Sequence, residues 1–206
     1  MKCLGSQLHS GFDFHPGYLD RAEQEALLAT LQPLIQAAPF FRPTMPKTGK
    51  TFSVEMTNLG SLGWVSDREG GYRYQATHPV TGLPWPQIPD MLLTLWRQVA
   101  NYPILPEACL VNLYRVGAKM GLHVDGDERD PKAPVVSVSL GDQAIFRLGG
   151  PQRGGPTTSL KLSSGDVVVL GGASRHFYHG IDRVLSGSSS LIPGGGRINL
   201  TMRVVG

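Results

Sequence analysis

The chain has 206 residues, 41% hydrophobic and 17% charged, which excludes a disordered protein. It is long enough to bury a core unaided, and two cysteines, Cys3 and Cys109, exclude a disulfide scaffold and a cysteine-rich zinc site. The net charge of +3 permits a polyanionic partner without demanding one.

No run approaches the ~20 apolar residues of a membrane span, and the first 14 residues lack the apolar stretch of a secretory signal. The expectation is one cytoplasmic domain over 1–206. With 26 glycines and 16 prolines, short strands and many turns are favoured over a helical bundle.

Residues 19–37 place Leu27, Leu31, Leu34 and Ile35 at helical spacing behind a capping Asp20. Pro33 is expected to bend or end this helix. A middle region, about 42–88, holds weaker strands at 51–57 and 72–75. After a proline-punctuated loop, 90–100 predicts a second helix with Leu92, Leu93, Trp96 and Val99 on one stripe. From residue 108 the period becomes two. Strands are predicted at 108–115, 134–140, 143–148, 159–162, 166–170, 175–178 and 197–204. Gly141-Asp142 reads as a hairpin turn, and glycine-rich loops lie at 149–156 and 186–196. The fold class is mainly β with flanking α, a sandwich or jelly roll with the front helices packed outside.

Four groups of residues could carry chemistry. In a strand, His123 and Asp125 would share a face and could converge on one ion, although a surface histidine beside a solvated acid has the same spacing. His179 follows an apolar strand and a Gly-Gly turn. Two histidines and a carboxylate with open positions form the facial triad of non-haem Fe(II) oxygenases, and His176 competes for the third place. On 197–204, Arg197, Asn199, Thr201 and Arg203 alternate with apolar residues. That polar face either meets water or lines an anion pocket, to which Asn112 and Tyr114 would add neutral donors. Finally Phe52, Trp64, Tyr72, Tyr74, Asp127, Glu128 and Arg153 suit stacking of an unpaired base and contact with phosphate, or are ordinary core aromatics and solvated charges.

In this order the groups resemble the AlkB family of Fe(II)- and 2-oxoglutarate-dependent dioxygenases, and within it the bacterial DNA-repair members. The resemblance spans about 40–204. It rests on Met56-Thr57-Asn58, Leu62-Gly63-Trp64, Pro84-Trp85-Pro86, the run from Ala108 to Asp125, Ala133 to Gly141, Gly165 to Val169, Phe177 to Gly180, and the Arg-x-Asn-x-Thr-x-Arg strand.

The resemblance implies a double-stranded β-helix (residues 108–204) under a substrate lid (about 42–88). It implies His123, Asp125 and His179 as iron ligands, and Asn112, Tyr114, Arg197, Asn199 and Arg203 around 2-oxoglutarate, with Arg197 on the distal carboxylate. Trp64 would stack the target base against His123, Tyr72 and Tyr74 would line the lid and reach the backbone, Asp127 would lie by the exocyclic amino group, and Arg153 would contact substrate. The implied cofactors are Fe(II), 2-oxoglutarate and O2. The implied reaction is oxidative N-demethylation of 1-methyladenine and 3-methylcytosine with formaldehyde release, by a monomer acting on DNA, preferably single-stranded, with double-stranded DNA and RNA left open. Departures fall at Lys50, Phe52 and Gly126, where the family commonly has an aromatic residue, a methionine and a longer polar residue. Two other readings stand beside this: an oxygenase of a protein or small molecule, and a metal-free nucleic-acid-binding module.

Overall fold

The computed structural model describes residues 6–206, and side chains from residue 9 onward; Cys3 lies outside. The described residues begin with β1 (Ser6–His9), β2 (Phe12–His15) and α1 (Arg21–Ala37). Next come β3 (Glu55–Gly60), β4 (Gly63–Asp67), β5 (Gly71–Gln75) and α2 (Asp90–Val99). The second half is β6 (Ala108–Tyr114), β7 (Met120–His123), β8 (Val135–Gly141), β9 (Gln143–Leu148), β10 (Thr158–Leu162), β11 (Val167–Leu170), β12 (His179–Leu185) and β13 (Arg197–Arg203). One sheet runs β1-β2-β11-β8-β13-β6-β3, a second runs β10-β9-β12-β7, and β4 and β5 pair as a separate hairpin.

The two large sheets form a jelly roll because their strands alternate. On the seven-stranded sheet, Val111, Leu113, Val136, Val138, Leu200 and Met202 point outward and are covered by Leu27, Leu31, Leu92 and Trp96 of the two helices. Each such leucine contributes about 1.5–3 kcal/mol on burial. The intervening residues face the four-stranded sheet, where Leu110, Val135, Val168 and Leu170 meet Phe146, Leu148 and Ile181. The polar residues of β13 therefore face the interior of the roll and not water, since its apolar face is taken by helices.

Asp20 caps α1 as expected, accepting from Glu23 N at 2.8 Å while the Glu23 carboxylate accepts from Asp20 N at 2.9 Å. The helix continues past Pro33 to Ala37; the carbonyl left without its donor belongs to Ala29, which is exposed and reaches water. The predicted strand at 51–57 lies instead at Glu55–Gly60, with Thr51 held only by a bridge to Thr44. The predicted strand at 175–178 is a turn, and the strand starts at His179. Gly141-Asp142 is not a hairpin: β8 and β9 lie in different sheets. It is the corner between them, with Gly141 at φ 88°, where a Cβ would meet Gly196 O at 2.4 Å, and with the Asp142 carboxylate accepting from Ser189 N and Gly196 N.

Candidate metal centre and the two cavities that meet at it

His123 ends β7 and His179 begins β12, and the two are register partners on neighbouring antiparallel strands. The strands approach closely because Gly180 follows His179; a Cβ there would lie 2.5 Å from Met120 O. Asp125 lies beyond the end of β7, so its approach to His123 comes from the turning chain and not from strand alternation. His123 Nε2 stands 3.7 Å from Asp125 Oδ1, and His179 Nε2 stands 3.7 Å from Asp125 Oδ2. Two atoms on one ion, with bonds of about 2.2 Å, lie at most about 4.4 Å apart, so both separations fit a single cation. His176 is exposed and outside this cluster.

The protonation pattern also fits a cation. His123 Nδ1 meets Gly121 O at 2.9 Å and His179 Nδ1 meets Phe177 O at 3.0 Å. A carbonyl only accepts, so Nδ1 carries the proton on both rings and each Nε2 lone pair faces the cluster. Desolvation and then the neighbouring His179 lower the His123 pKa, favouring the neutral ligand form. Burial alone would raise the Asp125 carboxyl, but Arg203 and the two histidines hold it well below the ordinary carboxylate range. Arg203 Nη2 donates to Asp125 Oδ1 at 2.9 Å, while Asp125 Oδ2 is buried without a hydrogen-bond partner. That oxygen is where a metal would complete the site.

Behind the triad is a cavity of about 70 Å³ walled by Asn112, Tyr114, Ser137, Arg197, Asn199 and Arg203 among others. Arg197 is 1% exposed; Nη2 donates to Ser139 Oγ at 2.9 Å, while Nε and Nη1 have no hydrogen-bond partner among the described residues. The Tyr114 ring lies 5.4 Å from the guanidinium carbon, and burial pushes the Tyr114 phenol up to about 12. An unpaired buried guanidinium costs several kcal/mol, so this cavity is made for an anion such as a carboxylate. Asn112 Oδ1 is also unpartnered, and a half-turn of the amide would present its N–H group instead. Asn199 lines the cavity, but its Nδ2 is bonded to Ser137 Oγ and Val138 O and its Oδ1 accepts from Thr201.

In front is a second cavity, about 210 Å³, sharing Leu110, Met120, His123, Asp125 and Arg203 with the first. Its distinctive walls are Phe52, Trp64, Tyr72 and Asp127. Trp64 and Tyr72 stack at 5.6 Å, Phe52 meets Trp64 edge-on, and Trp64 Nε1 donates to Asp127 Oδ2 at 2.8 Å. Buried Asn58 braces the Trp64 backbone through paired bonds of 3.0 Å.

Two expected substrate residues stand elsewhere. The Tyr74 hydroxyl is turned inward, donating to Glu128 Oε1 at 2.5 Å. Arg153 is exposed in the loop between β9 and β10 and lines neither cavity, because that long glycine-rich loop carries it outward. Arg175 lies outside the four groups that the sequence marks. It is 2% exposed and donates to the Asp125 carbonyl, to Ala133 O and to Glu128. An arginine four residues before a candidate histidine ligand was the one signal available.

The family model described as the 2OG-Fe(II) oxygenase superfamily matches residues 11–203. The chain is 55% identical over 195 residues to an alpha-ketoglutarate-dependent dioxygenase AlkB homolog of Caulobacter vibrioides, covering 94% of this chain and 87% of that one. It is 45% identical over 186 residues to alpha-ketoglutarate-dependent dioxygenase AlkB of Escherichia coli, covering 88% and 85%. The solved structure of OsALKBH1 superposes with a TM-score of 0.79 at 31% identity, over 96% of this chain and all of that one. With its jelly roll, its buried two-histidine, one-carboxylate cluster and its unpaired inner arginine, the chain belongs to the 2OG-Fe(II) oxygenase superfamily and, within it, to the AlkB family of Fe(II)- and 2-oxoglutarate-dependent dioxygenases.

Proposed function

We propose that this chain removes methyl groups from alkylated bases, 1-methyladenine and 3-methylcytosine, in DNA, with single strands preferred. The observation that carries this reading is the aromatic outer cavity opening directly onto the triad. Fe(II) and 2-oxoglutarate, when bound, supply the oxidation of an N-methyl C–H bond by O2, with release of succinate and CO2; the methyl carbon leaves as formaldehyde.

The chain's own residues do the remaining work. His123, Asp125 and His179 hold the metal. Arg197, beside Tyr114, takes the distal carboxylate of 2-oxoglutarate, and Asn112 offers it a further polar contact. Trp64 stacks on the base against His123, both of which line the outer cavity, and Tyr72 closes the lid side of that cavity. The Asp127 carboxylate faces the exocyclic amino group, and its charge suits bases that are cationic near neutral pH. Leu110 and Met120, in the wall common to both cavities, exclude water around the methyl group. A base methylated on its pairing edge cannot pair, so extruding it costs less than extruding a normal base, and least in a single strand.

The reading includes one catalytic domain in which residues of about 42–88 form a lid over a roll of about 108–204, working as a monomer in the cytoplasm. Among the described residues no helix is long and apolar enough to cross a membrane. The test is mass spectrometry of a single-stranded oligonucleotide bearing one 1-methyladenine, incubated with the protein, Fe(II), ascorbate and 2-oxoglutarate. Loss of one methyl group requiring both Fe(II) and 2-oxoglutarate is expected. Succinate formation without methyl loss would move the chain to a protein or small-molecule substrate.

A further inference from the structure

Asp125 lies two residues beyond β7, in a stretch before β8 that belongs to no strand. A ligand in such a segment must be held by side chains, and two buried arginines do so from opposite sides. Arg175 Nη1 donates to the Asp125 carbonyl at 2.6 Å, and Arg203 Nη2 donates to the Asp125 carboxylate at 2.9 Å. Glu128 stands between these arginines with its side chain 2% exposed. Its Oε2 accepts from Arg175 Nη2 at 2.9 Å, and its Oε1 lies 3.5 Å from Arg203 Nε.

Glu128 Oε1 has one further donor, and that donor comes from outside the roll. It is the hydroxyl of Tyr74 on β5, the register partner of Trp64 on β4. The hairpin carrying Trp64 and Tyr72 is thus tied by one hydrogen bond to the carboxylate that both Asp125-holding arginines face. Burial raises the Tyr74 phenol far above working pH, so it remains a donor.

We propose that Glu128 is a positioning residue that latches the β4–β5 hairpin, through Tyr74, to the segment holding Asp125, so that seating the hairpin and filling the metal site favour each other. A cation bound by Asp125 fixes the carboxylate that orients Arg203; Arg203 and Arg175 then fix the Glu128 oxygens in the position that accepts Tyr74. Linkage is reciprocal, so a seated hairpin raises metal affinity by the factor with which metal favours the seated hairpin. In consequence the wall that meets the base is assembled when the metal centre is assembled. The inference rests on the metal reading of the triad and not on the identity of the base.

The experiment is hydrogen–deuterium exchange on the full chain with and without Mn(II) alone, which binds oxygen and nitrogen ligands without reacting. In the wild type Mn(II) is expected to slow exchange both at 123–128 and at the 63–75 hairpin. In Tyr74→Phe, which keeps the ring and removes one hydroxyl, protection at 123–128 persists while the Mn(II)-dependent part at the hairpin shrinks to what the remaining Trp64–Asp127 hydrogen bond transmits. Mn(II) affinity by calorimetry falls by a matching factor, on the order of 5-fold. Glu128→Gln is expected to behave alike, with β6 and β13 amides reporting whether the fold is intact. A purely structural Tyr74 would change hairpin exchange equally with and without Mn(II), and that result would overturn the proposal. So would unchanged Mn(II)-dependent protection in Tyr74→Phe. Absence of Mn(II) binding to the wild type would remove the metal reading and this inference together, whatever the protein does to methylated DNA.

Discussion

The inner cavity takes its polar walls from three adjacent strands of one sheet, β6, β13 and β8, whereas the outer cavity takes its own from a hairpin and two loops. Every residue of β6 and β13 is buried, while β5 has none that is fully buried. Low burial goes with low local stability, so the inner wall is the rigid part and the outer wall the part free to open. The division suits the two ligands. Under the proposed function, 2-oxoglutarate is the same in every turnover and would be met by the fixed Arg197, while the base would enter a cavity whose aromatic wall lies on the hairpin. Residues on the hairpin and loops can also change without disturbing the β ladder, and the departures at Lys50, Phe52 and Gly126 all fall there.

The sharpest break is expected at the seam between the cavities. His179→Ala removes one of the three candidate metal ligands and should weaken Mn(II) binding by more than the roughly 10–100-fold that loss of an outer partner costs, as read by calorimetry. His176→Ala should leave it intact; the reverse result would exchange their roles.

The inner wall should then show a conflict between stability and function. Arg197→Met removes a buried charge that has no ion-pair partner among the described residues, so the ligand-free protein should melt at a higher temperature. 2-Oxoglutarate is expected to raise the Tm of the wild type, and the same variant should lose that rise. A lower ligand-free Tm would show that the guanidinium is already compensated and would weaken the anion-site reading.

Legibility in the sequence follows the same division. Alternation made β13 readable residue by residue; only the direction its polar face points had to come from the structure, because α1 and α2, distant in sequence, cover the other face. The helices themselves followed from spacing and an aspartate cap. The outer site was legible mainly by resemblance. Trp64 sits in a five-residue strand without strong alternation, and Asn58, which braces it, carries no sequence signal for that role. Tyr74 and Tyr72 share strand parity, yet one faces the cavity and the other meets Glu128, a partner 54 residues away. Arg175 is hard to read from sequence because arginine is rarely buried; the buried Glu128 carboxylate, together with the converging carbonyls of Ala133 and Asp125, accounts for it.

For the outer wall, Trp64→Ala should remove one stacking face, worth about 1–3 kcal/mol per base, and raise the KM for a methylated oligonucleotide roughly 5- to 150-fold. The half-saturating 2-oxoglutarate concentration should stay near the wild-type value. A change confined to 2-oxoglutarate would mean that the two cavities do not divide the ligands as described.

The smallest effect is expected at the mouth of the outer cavity. Residues 43–45 and 50–52 pair as a short antiparallel ladder, with Met45 N donating to Lys50 O, Phe52 N donating to Pro43 O, and Thr44 bridged to Thr51. Positions two apart on such a ladder share a face about 7 Å apart. Lys50 therefore stands on the face of Phe52, which lines the outer cavity, one step further out. It is exposed and has no ion-pair partner among the described residues, so its ammonium is available to a phosphate flanking the flipped nucleotide. One such contact on a single strand contributes about 0.7 to the slope of log affinity against log salt. Lys50→Gln should flatten that slope by about this amount for a methylated oligonucleotide bound in the presence of Mn(II) and 2-oxoglutarate, and Lys50→Arg should restore it. An unchanged slope in Lys50→Gln would mean that the nucleic-acid backbone leaves the cavity on another side, and that the lid discriminates by its aromatic residues alone.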